Sequence, residues 1–168
     1  TRGLGDTLYA FKVARHPLDC YYDVRVGKAG TGLGATILYI LLFISFMLYM
    51  LGKGFIYQYY DVQDLDISSI VVGFFAIIIL FVVCNYLVTS INDGQGSLKQ
   101  VYMLLAYACL PLIIAFFGVT AMSYFVTTNE AFFLSVGLVI GACWTVILLY
   151  IGLQTVHNYT AGETIKAV

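Results

Sequence analysis

Apolar positions are gathered into four long runs that contain no Asp, Glu, Lys or Arg, and the charged residues are confined to the segments around them. The runs are approximately Gly34–Leu51, Ile67–Ile91, Val101–Phe125 and Ala131–Gln154. Each is about as long as an α-helix must be to cross a hydrocarbon core of ~30 Å. The pattern therefore predicts an all-α fold, a polytopic membrane bundle with four transmembrane helices.

The composition agrees with a membrane protein. Hydrophobic residues make up 61% of the 168 positions and charged residues 10%, and the mean hydropathy is +0.93. A soluble domain would have to cover all four runs with polar surface, and too few polar residues remain for that. The net charge of -1 says little about partners, because its distribution along the chain is what carries information.

The basic residues predict the orientation of the helices. Four spans place both ends of this chain, and the loop between the second and third runs, on the same side of the membrane. That side holds seven of the eight Lys and Arg residues and the opposite side holds Lys53; the seven are Arg2, Lys12, Arg15, Arg25, Lys28, Lys99 and Lys166. Since Lys and Arg are enriched in cytoplasmic loops, we expect a cytoplasmic N-terminus.

Residues typical of helix starts precede several of the runs. Ser97–Gln100 and Thr127–Glu130 fit the capping-box pattern for the third and fourth helices. Asp64 or Asp66 is suited to cap the second helix. Thr160–Glu163 fits a further capping box, which predicts that a fifth helix begins near the end of this chain.

Small residues and a proline inside the runs predict how the helices pack. Pro111 removes a backbone hydrogen bond and is expected to kink the third helix. Gly137 and Gly141 form a pair four residues apart, which lets two helix backbones approach closely. This pair predicts either packing within the chain or a seam between copies of it.

The N-terminal segment, residues 1–33, is predicted to be an arm distinct from the helical domain of residues 34–168. Leu4, Leu8 and Phe11 recur at helical spacing beside basic residues, which is typical of an amphipathic helix at the membrane interface. Packing against the bundle and binding of a partner protein are the alternatives. Pro17 is expected to open a second short helix after His16.

Several kinds of chemistry have no support in the residue pattern. No Cys-x-x-Cys pair, His-Glu-x-x-His motif or Gly-x-Ser-x-Gly motif occurs, and the runs hold no ionisable acid or base of the kind that marks intramembrane catalysis. We therefore expect a protein that is not an enzyme and has no cofactor or metal site. Neutral polar residues, among them Asn85, Thr89 and Gln154, leave open a role in a pore or permease.

Short segments of the chain resemble the Ypt-interacting-protein (Yip) domain family. They are His16–Arg25 before the first span, Asn92–Gly96 before the third, Tyr107 with Pro111 inside the third, and Gly152–Thr160 after the fourth. The resemblance covers most of the chain from His16 onward. It implies a cytosolic N-terminus and typically five spans. Eukaryotic members are similar to adaptors that bind Rab-type GTPases, whereas many bacterial relatives look like proteins of unknown role or accessories of transport systems.

These observations lead to one principal hypothesis and one alternative. The principal hypothesis is a non-enzymatic scaffold or accessory subunit in a membrane, and the compact N-terminal segment favours a bacterial cytoplasmic membrane. Expected partners are membrane lipids and other integral membrane proteins, such as transporter subunits, or a GTPase in a eukaryote, but no nucleic acid. The alternative is a pore or permease component.

The scaffold hypothesis assigns candidate residues to the inner side of the membrane. They are expected to form a polar network that joins the arm to the bundle or binds a partner. These residues are His16, Asp19, Asp23, Arg25, Asn92, Asp93, His157, Asn158 and Glu163.

Overall fold

A computed structural model of the protein describes residues 9, 12–27, 30–54, 57, 66–91, 96–127 and 130–157, apart from the side chains at positions 89 and 91. A helical turn at 12–15 precedes six helices in this part of the chain. They are α1 (Pro17–Val26), α2 (Gly32–Leu51), α3 (Ile67–Ile91), α4 (Leu98–Ala108), α5 (Leu110–Met122) and α6 (Phe132–His157). The described residues include no β-strand, so the predicted all-α fold is confirmed.

Four stretches are long and apolar enough to cross a membrane, which confirms the predicted number of spans in the described part. They are Gly32–Leu51, Ile67–Val88, Leu98–Met122 and Phe132–His157. In the first, third and fourth spans, a helix begins or ends two to three residues from the edge of the charge-free run. Such differences arise because caps and turns, rather than hydropathy, set the last residue of a helix.

The third span is two helices instead of one kinked helix. The amide of Cys109 closes the last turn of α4 on the carbonyl of Leu105 at 3.1 Å, and its carbonyl begins α5 by accepting from Ile113 at 3.1 Å. Pro111 lies in the first turn of α5, where its missing N–H group costs least. The structure therefore has a break at Cys109 where the sequence predicts a kink at Pro111.

The predicted caps are found at two of the described helix starts. Ser97 and Gln100 form both bonds of a capping box at α4. The Asp66 carboxylate accepts from the Ser68 amide at 3.1 Å and the Ser69 hydroxyl at 2.6 Å at the start of α3. The Thr127–Glu130 pair instead closes a turn ahead of α6, which begins at Phe132. The Thr160–Glu163 box lies outside the described residues.

Gly137 and Gly141 both face α5 of the same chain. A Cβ on Gly137 would lie 3.1 Å from a methyl of Val119, and one on Gly141 would overlap the Cβ of Ala115. The two backbones approach closely because side chains are absent there. In this structure the glycine pair therefore packs α6 against α5 within the chain, the first of the two arrangements expected from the sequence.

Helix α3 lies at the periphery of the bundle. Among its described side chains, Val82 and Asn85 are buried. Its backbone lies close to that of α4. On α2 it contacts two phenylalanines: the ring centre of Phe74 is 5.2 Å from that of Phe43 and 5.6 Å from that of Phe46. Most of its surface is apolar and exposed, as expected for a helix that faces lipid.

Candidate functional site

Helix α1 lies alongside α6, in the same direction. Ala14, before α1, lines a cavity with Trp144, and Pro17 lines it with Ile151 further along α6. At the other end of α1, the Arg25 guanidinium reaches the carbonyl of Thr155 at 3.5 Å. These contacts show that α1 packs against the bundle. The amphipathic residues Leu4, Leu8 and Phe11 lie outside the described residues.

Tyr21 anchors α1 to the bundle. Its side chain is fully buried, and its ring fits against Gly152 of α6 and Leu104 of α4. A Cβ on Gly152 would lie 3.1 Å from the Tyr21 ring and 2.9 Å from Leu104 Cγ, so this socket exists because position 152 has no side chain. Among the described residues the Tyr21 hydroxyl has no hydrogen-bond partner, and burial raises the pKa of Tyr21. The contribution of this residue is therefore the packing of its ring.

Polar bonds close the same end of the bundle. The Gln100 side-chain amide donates to the carbonyl of Arg25 at 2.8 Å and so joins the start of α4 to the end of α1. The Gly96 amide donates to Nδ1 of the buried His157 at 3.3 Å. Because Nδ1 accepts, the proton of a neutral imidazole sits on Nε2. The bonds tie the start of α4 to α1 and the segment before it to α6.

A glycine turn connects α1 to the first span. Gly27 and Gly30 have φ values of 75° and 87°, in the left-handed region that side chains disfavour. Gly30 also packs against Tyr107, since a Cβ there would lie 3.3 Å from the phenol oxygen. Thr31 then caps α2 by accepting from the Gly34 amide at 3.1 Å. The turn holds α1 against the bundle immediately before α2 begins.

The structure places the predicted inner-side residues in two groups. Arg25 and His157 take part in the bonds that join α1, α4 and α6. His16 and Asp19 are exposed at the opposite end of α1, and Asp23 is half-buried between the two groups. The remaining candidates lie outside the described residues: Asn92, Asp93, Asn158 and Glu163.

Other residues of this site were not among the predicted candidates. The sequence identifies Gln100 as part of a capping box, but no neighbouring residue indicates that its side chain also donates to the carbonyl of Arg25. Gly152 interrupts a run of bulky apolar residues near the end of the last span, and Gly96 precedes the capping box of α4. Glycines at such positions are a usable signal of close packing.

The face of α1 that is turned away from the bundle is apolar and exposed. Leu18, Tyr22 and Val26 are spaced four residues apart and are 62%, 53% and 48% exposed, whereas Cys20, Tyr21 and Val24 on the opposite side are buried. Residues at this spacing share one helix face. We call the three exposed residues the α1 ridge; charged residues flank it at Asp19, Asp23 and Arg25.

Several polar groups inside the spans bond to their own helices, whereas the Tyr39 hydroxyl of α2 donates to the carbonyl of Tyr102 in α4 at 2.9 Å. The Asn85 amide donates to the carbonyl of Phe81, and the hydroxyls of Thr145 and Thr155 donate one turn back along α6. Gln154 is half-buried. Within the described ranges, no group of three or more His, Cys, Asp or Glu residues is arranged to hold a metal ion. These bonds give the pore or permease alternative no specific support.

Comparisons with known proteins identify the family. No curated protein and no solved structure matches the chain. The Yip1 domain model matches residues 11–168, which include α1, all four described spans and the glycine turn. The chain therefore belongs to the Yip1 domain family of membrane proteins, as the motifs around α1, α4 and the end of α6 indicated.

Proposed function

We propose that this protein is a non-enzymatic membrane scaffold or accessory subunit that binds other integral membrane proteins through its inner face. The observation that carries the proposal is the two-sided character of α1. One side is fixed to α4 and α6 through Tyr21 and the bonds of Arg25, and the other side exposes the α1 ridge. A helix held in this way presents an apolar surface with little loss of entropy when a partner binds.

The residues of the ridge suit a protein interface. Tyr22 offers a large, rigid ring with a polar tip, and tyrosine is enriched at binding hot spots. Leu18 and Val26 add apolar area on either side of it. The charges at Asp19 and Asp23 would favour a partner with basic residues opposite them, which supplies specificity rather than most of the affinity.

The location follows from the same proposal. The protein is an integral membrane protein, and the excess of Lys and Arg on one side supports a cytoplasmic location for the Arg25 end of α1, where the ridge ends at Val26. We place it in the cytoplasmic membrane of a bacterium, where transporter subunits are the expected partners. In a eukaryotic cell the same face would bind a GTPase.

Co-purification from native membranes in mild detergent, followed by mass spectrometry, tests the proposal. The wild-type chain should recover a stoichiometric membrane-protein partner, and Tyr22→Ser should lose it. Tyr124→Ser is the matched control, because Tyr124 is also an exposed tyrosine but lies at the other end of the bundle, after α5. Equal recovery by both variants, or no partner with the wild type, would contradict the proposal.

A further inference from the structure

The arm bends sharply at His16. Because a residue before proline is disfavoured in the helical region, His16 adopts φ -133° and ψ 71° between the helical turn at 12–15 and α1. The Tyr9 hydroxyl donates to the carbonyl of Cys20 at 3.0 Å, although the two residues are 11 positions apart. On a straight helix that separation is about 16 Å, which is more than a tyrosine side chain can reach. The chain therefore changes direction around His16.

This bend lies beside the middle part of the last span. Ala14 and Pro17, on either side of the bend, line a cavity that extends along α6 from Trp144 to Ile151. Ala14 also lines a second cavity, which reaches Gly141. The α6 residues of the two cavities are well inside the helix, which ends at position 157. The bend is therefore far from both ends of α6.

The length of α6 gives the depth of the bend in a bilayer. Its 26 residues extend over about 39 Å, so a hydrocarbon core of ~30 Å centred on the helix leaves about 4–5 Å of it outside at each end. On the side where α6 ends, Trp144 then lies about 15 Å inside the core and Ile151 about 4–5 Å inside it. Arg25 reaches the carbonyl of Thr155 at the surface of the core. In an undisturbed bilayer the bend would be surrounded by hydrocarbon.

Charged and polar side chains are nevertheless exposed at the bend. Arg15, His16 and Asp19 are exposed, and they line a recess of about 190 Å³ with Pro17 and Leu18. In the described part of the chain, neither Arg15 nor Asp19 has a hydrogen bond or an ion pair. Hydrocarbon cannot solvate a guanidinium or a carboxylate, and side chains of this kind inside a membrane face protein or water. We call these five residues the α1 recess.

A stripe of polar residues leads from the bend towards the membrane surface. His16, Asp19 and Asp23 are three and four residues apart, so they lie on one side of α1. Asp23 is half-buried and lies closer to the Arg25 end of the helix. A long arginine side chain can reach the surface from inside a bilayer, but the shorter His16 and Asp19 side chains cannot. Solvation therefore has to come to them.

We propose that water enters the membrane along this stripe and fills the α1 recess, so that the hydrocarbon layer is locally thinner beside the arm. Arg15, His16 and Asp19 hold the water by hydrogen bonds, and Asp23 continues the path towards the surface. The recess ends half-way through the membrane. From Trp144 to Phe132, α6 continues for 12 residues without a charge, about 18 Å of apolar helix.

The reactivity of cysteines at matched depth tests the proposal. His16→Cys places a thiol in the α1 recess. Val146→Cys places one at a similar level of α6, on an exposed residue that lines neither cavity. Each full-length variant is purified and reconstituted in phospholipid vesicles, and a membrane-impermeant maleimide is supplied in both aqueous compartments. The wild-type chain, with its four cysteines, gives the background rate.

We expect His16→Cys to react at least about tenfold faster than Val146→Cys. The thiolate is the reactive form, hydrocarbon suppresses it, and each unit of pKa changes its fraction about tenfold. Two slow rates, equal to the background, would overturn the proposal because no water would reach the bend. Two equally fast rates would also overturn it, since the whole helix would then be open to water at this depth. Leu18→Cys repeats the measurement in the same recess without altering the residue before Pro17.

A second substitution tests whether the charges draw in the water. Asp19→Leu, added to His16→Cys, should slow the reaction because it removes a group that water solvates. Glu130→Leu is the matched control, since it removes the same charge from an exposed residue before the other end of α6. If the two additions change the rate equally, the carboxylate of Asp19 does not hold water in the recess. The melting temperature of each variant shows whether the fold is kept.

Discussion

Replacing Gly152 with alanine tests whether the socket around Tyr21 holds α1 in place. The added methyl would lie 2.9 Å from Leu104 Cγ and 3.1 Å from both Leu104 Cδ1 and Tyr21 Cζ. Leu104 and Tyr21 are fully buried, so neither can swing aside into open space. Extra methylenes in a well-packed core cost about 1–3 kcal/mol.

A second effect acts in the opposite direction. Alanine is more favourable than glycine inside a helix by about 0.5–1 kcal/mol, which offsets part of the overpacking. Gly73 of α3 isolates this effect, because a Cβ there would meet no described atom within 4 Å apart from its chain neighbours and the backbone of its own helix. Gly73→Ala should therefore stabilise the protein by about 0.5–1 kcal/mol. The difference in stability between the two variants then measures overpacking alone, and we expect about 1–3 kcal/mol.

Unfolding in mixed micelles, followed by Trp144 fluorescence as denaturing detergent is added, measures both variants under the same conditions. A Gly152→Ala and Leu104→Ala double variant should lose less than the sum of its single variants, because the new methyl fills part of the cavity that Leu104 leaves. If Gly152→Ala stabilises the protein as much as Gly73→Ala does, the Tyr21 socket is not closely packed and the account of α1 as a fixed helix fails.

Three further substitutions test other contacts. Tyr21→Phe should leave stability unchanged or raise it by about 1 kcal/mol in the same unfolding assay, because it removes a buried hydroxyl that has no hydrogen-bond partner in the described part of the chain; a large loss would refute the packing role. Gly141→Ala should lower the melting temperature because its Cβ overlaps that of Ala115, and adding Ala115→Gly should restore it. Destabilisation that persists in the double variant would contradict the close packing of α6 on α5. Hydrogen bonds from Ser69 and Ser68 lower the pKa of Asp66. The carboxylate cap is therefore fully present at pH values above the usual pKa of aspartate, and it is lost as the pH falls through the lowered pKa of Asp66. The protection factor of the Ser68 amide, which is the intrinsic exchange rate at each pH divided by the observed rate, should therefore fall in acid, and Asp66→Asn should remove that fall, since asparagine caps without titrating; a fall that persists in Asp66→Asn would assign it to another group.

The parts of the fold that the sequence predicts are those with a local cause. The spans follow from charge-free runs because burying a charge in hydrocarbon is expensive, and a run must be ~20 residues long to cross. Ser97 and Asp66 mark helix starts because their side chains bond to amides two or three residues away. Pro111 marks a break for an equally local reason, the loss of one N–H group.

The candidate site depends instead on contacts between distant residues. Arg25 and Thr155 are 130 positions apart, and Gln100 bonds to a carbonyl 75 positions away. No periodicity or spacing within one segment encodes such contacts. Of the predicted inner-side residues, Arg25 and His157 make contacts between helices, but the packing of Tyr21 in a socket at Gly152 could not be read from the order of residues along the chain.

The contact between α1 and α6 also fixes when the α1 ridge can form during synthesis. The ribosome delivers α1 first and α6 last among the described helices, and Tyr21 has no socket until Gly152 has been made and inserted. Until then only α4 can hold the arm, through contacts such as that of Gln100 with Arg25, and the side of α1 that α6 will cover remains available to chaperones or proteases. A chain that stalls before its last span would therefore never display a finished ridge, so partner binding would report that biogenesis is complete.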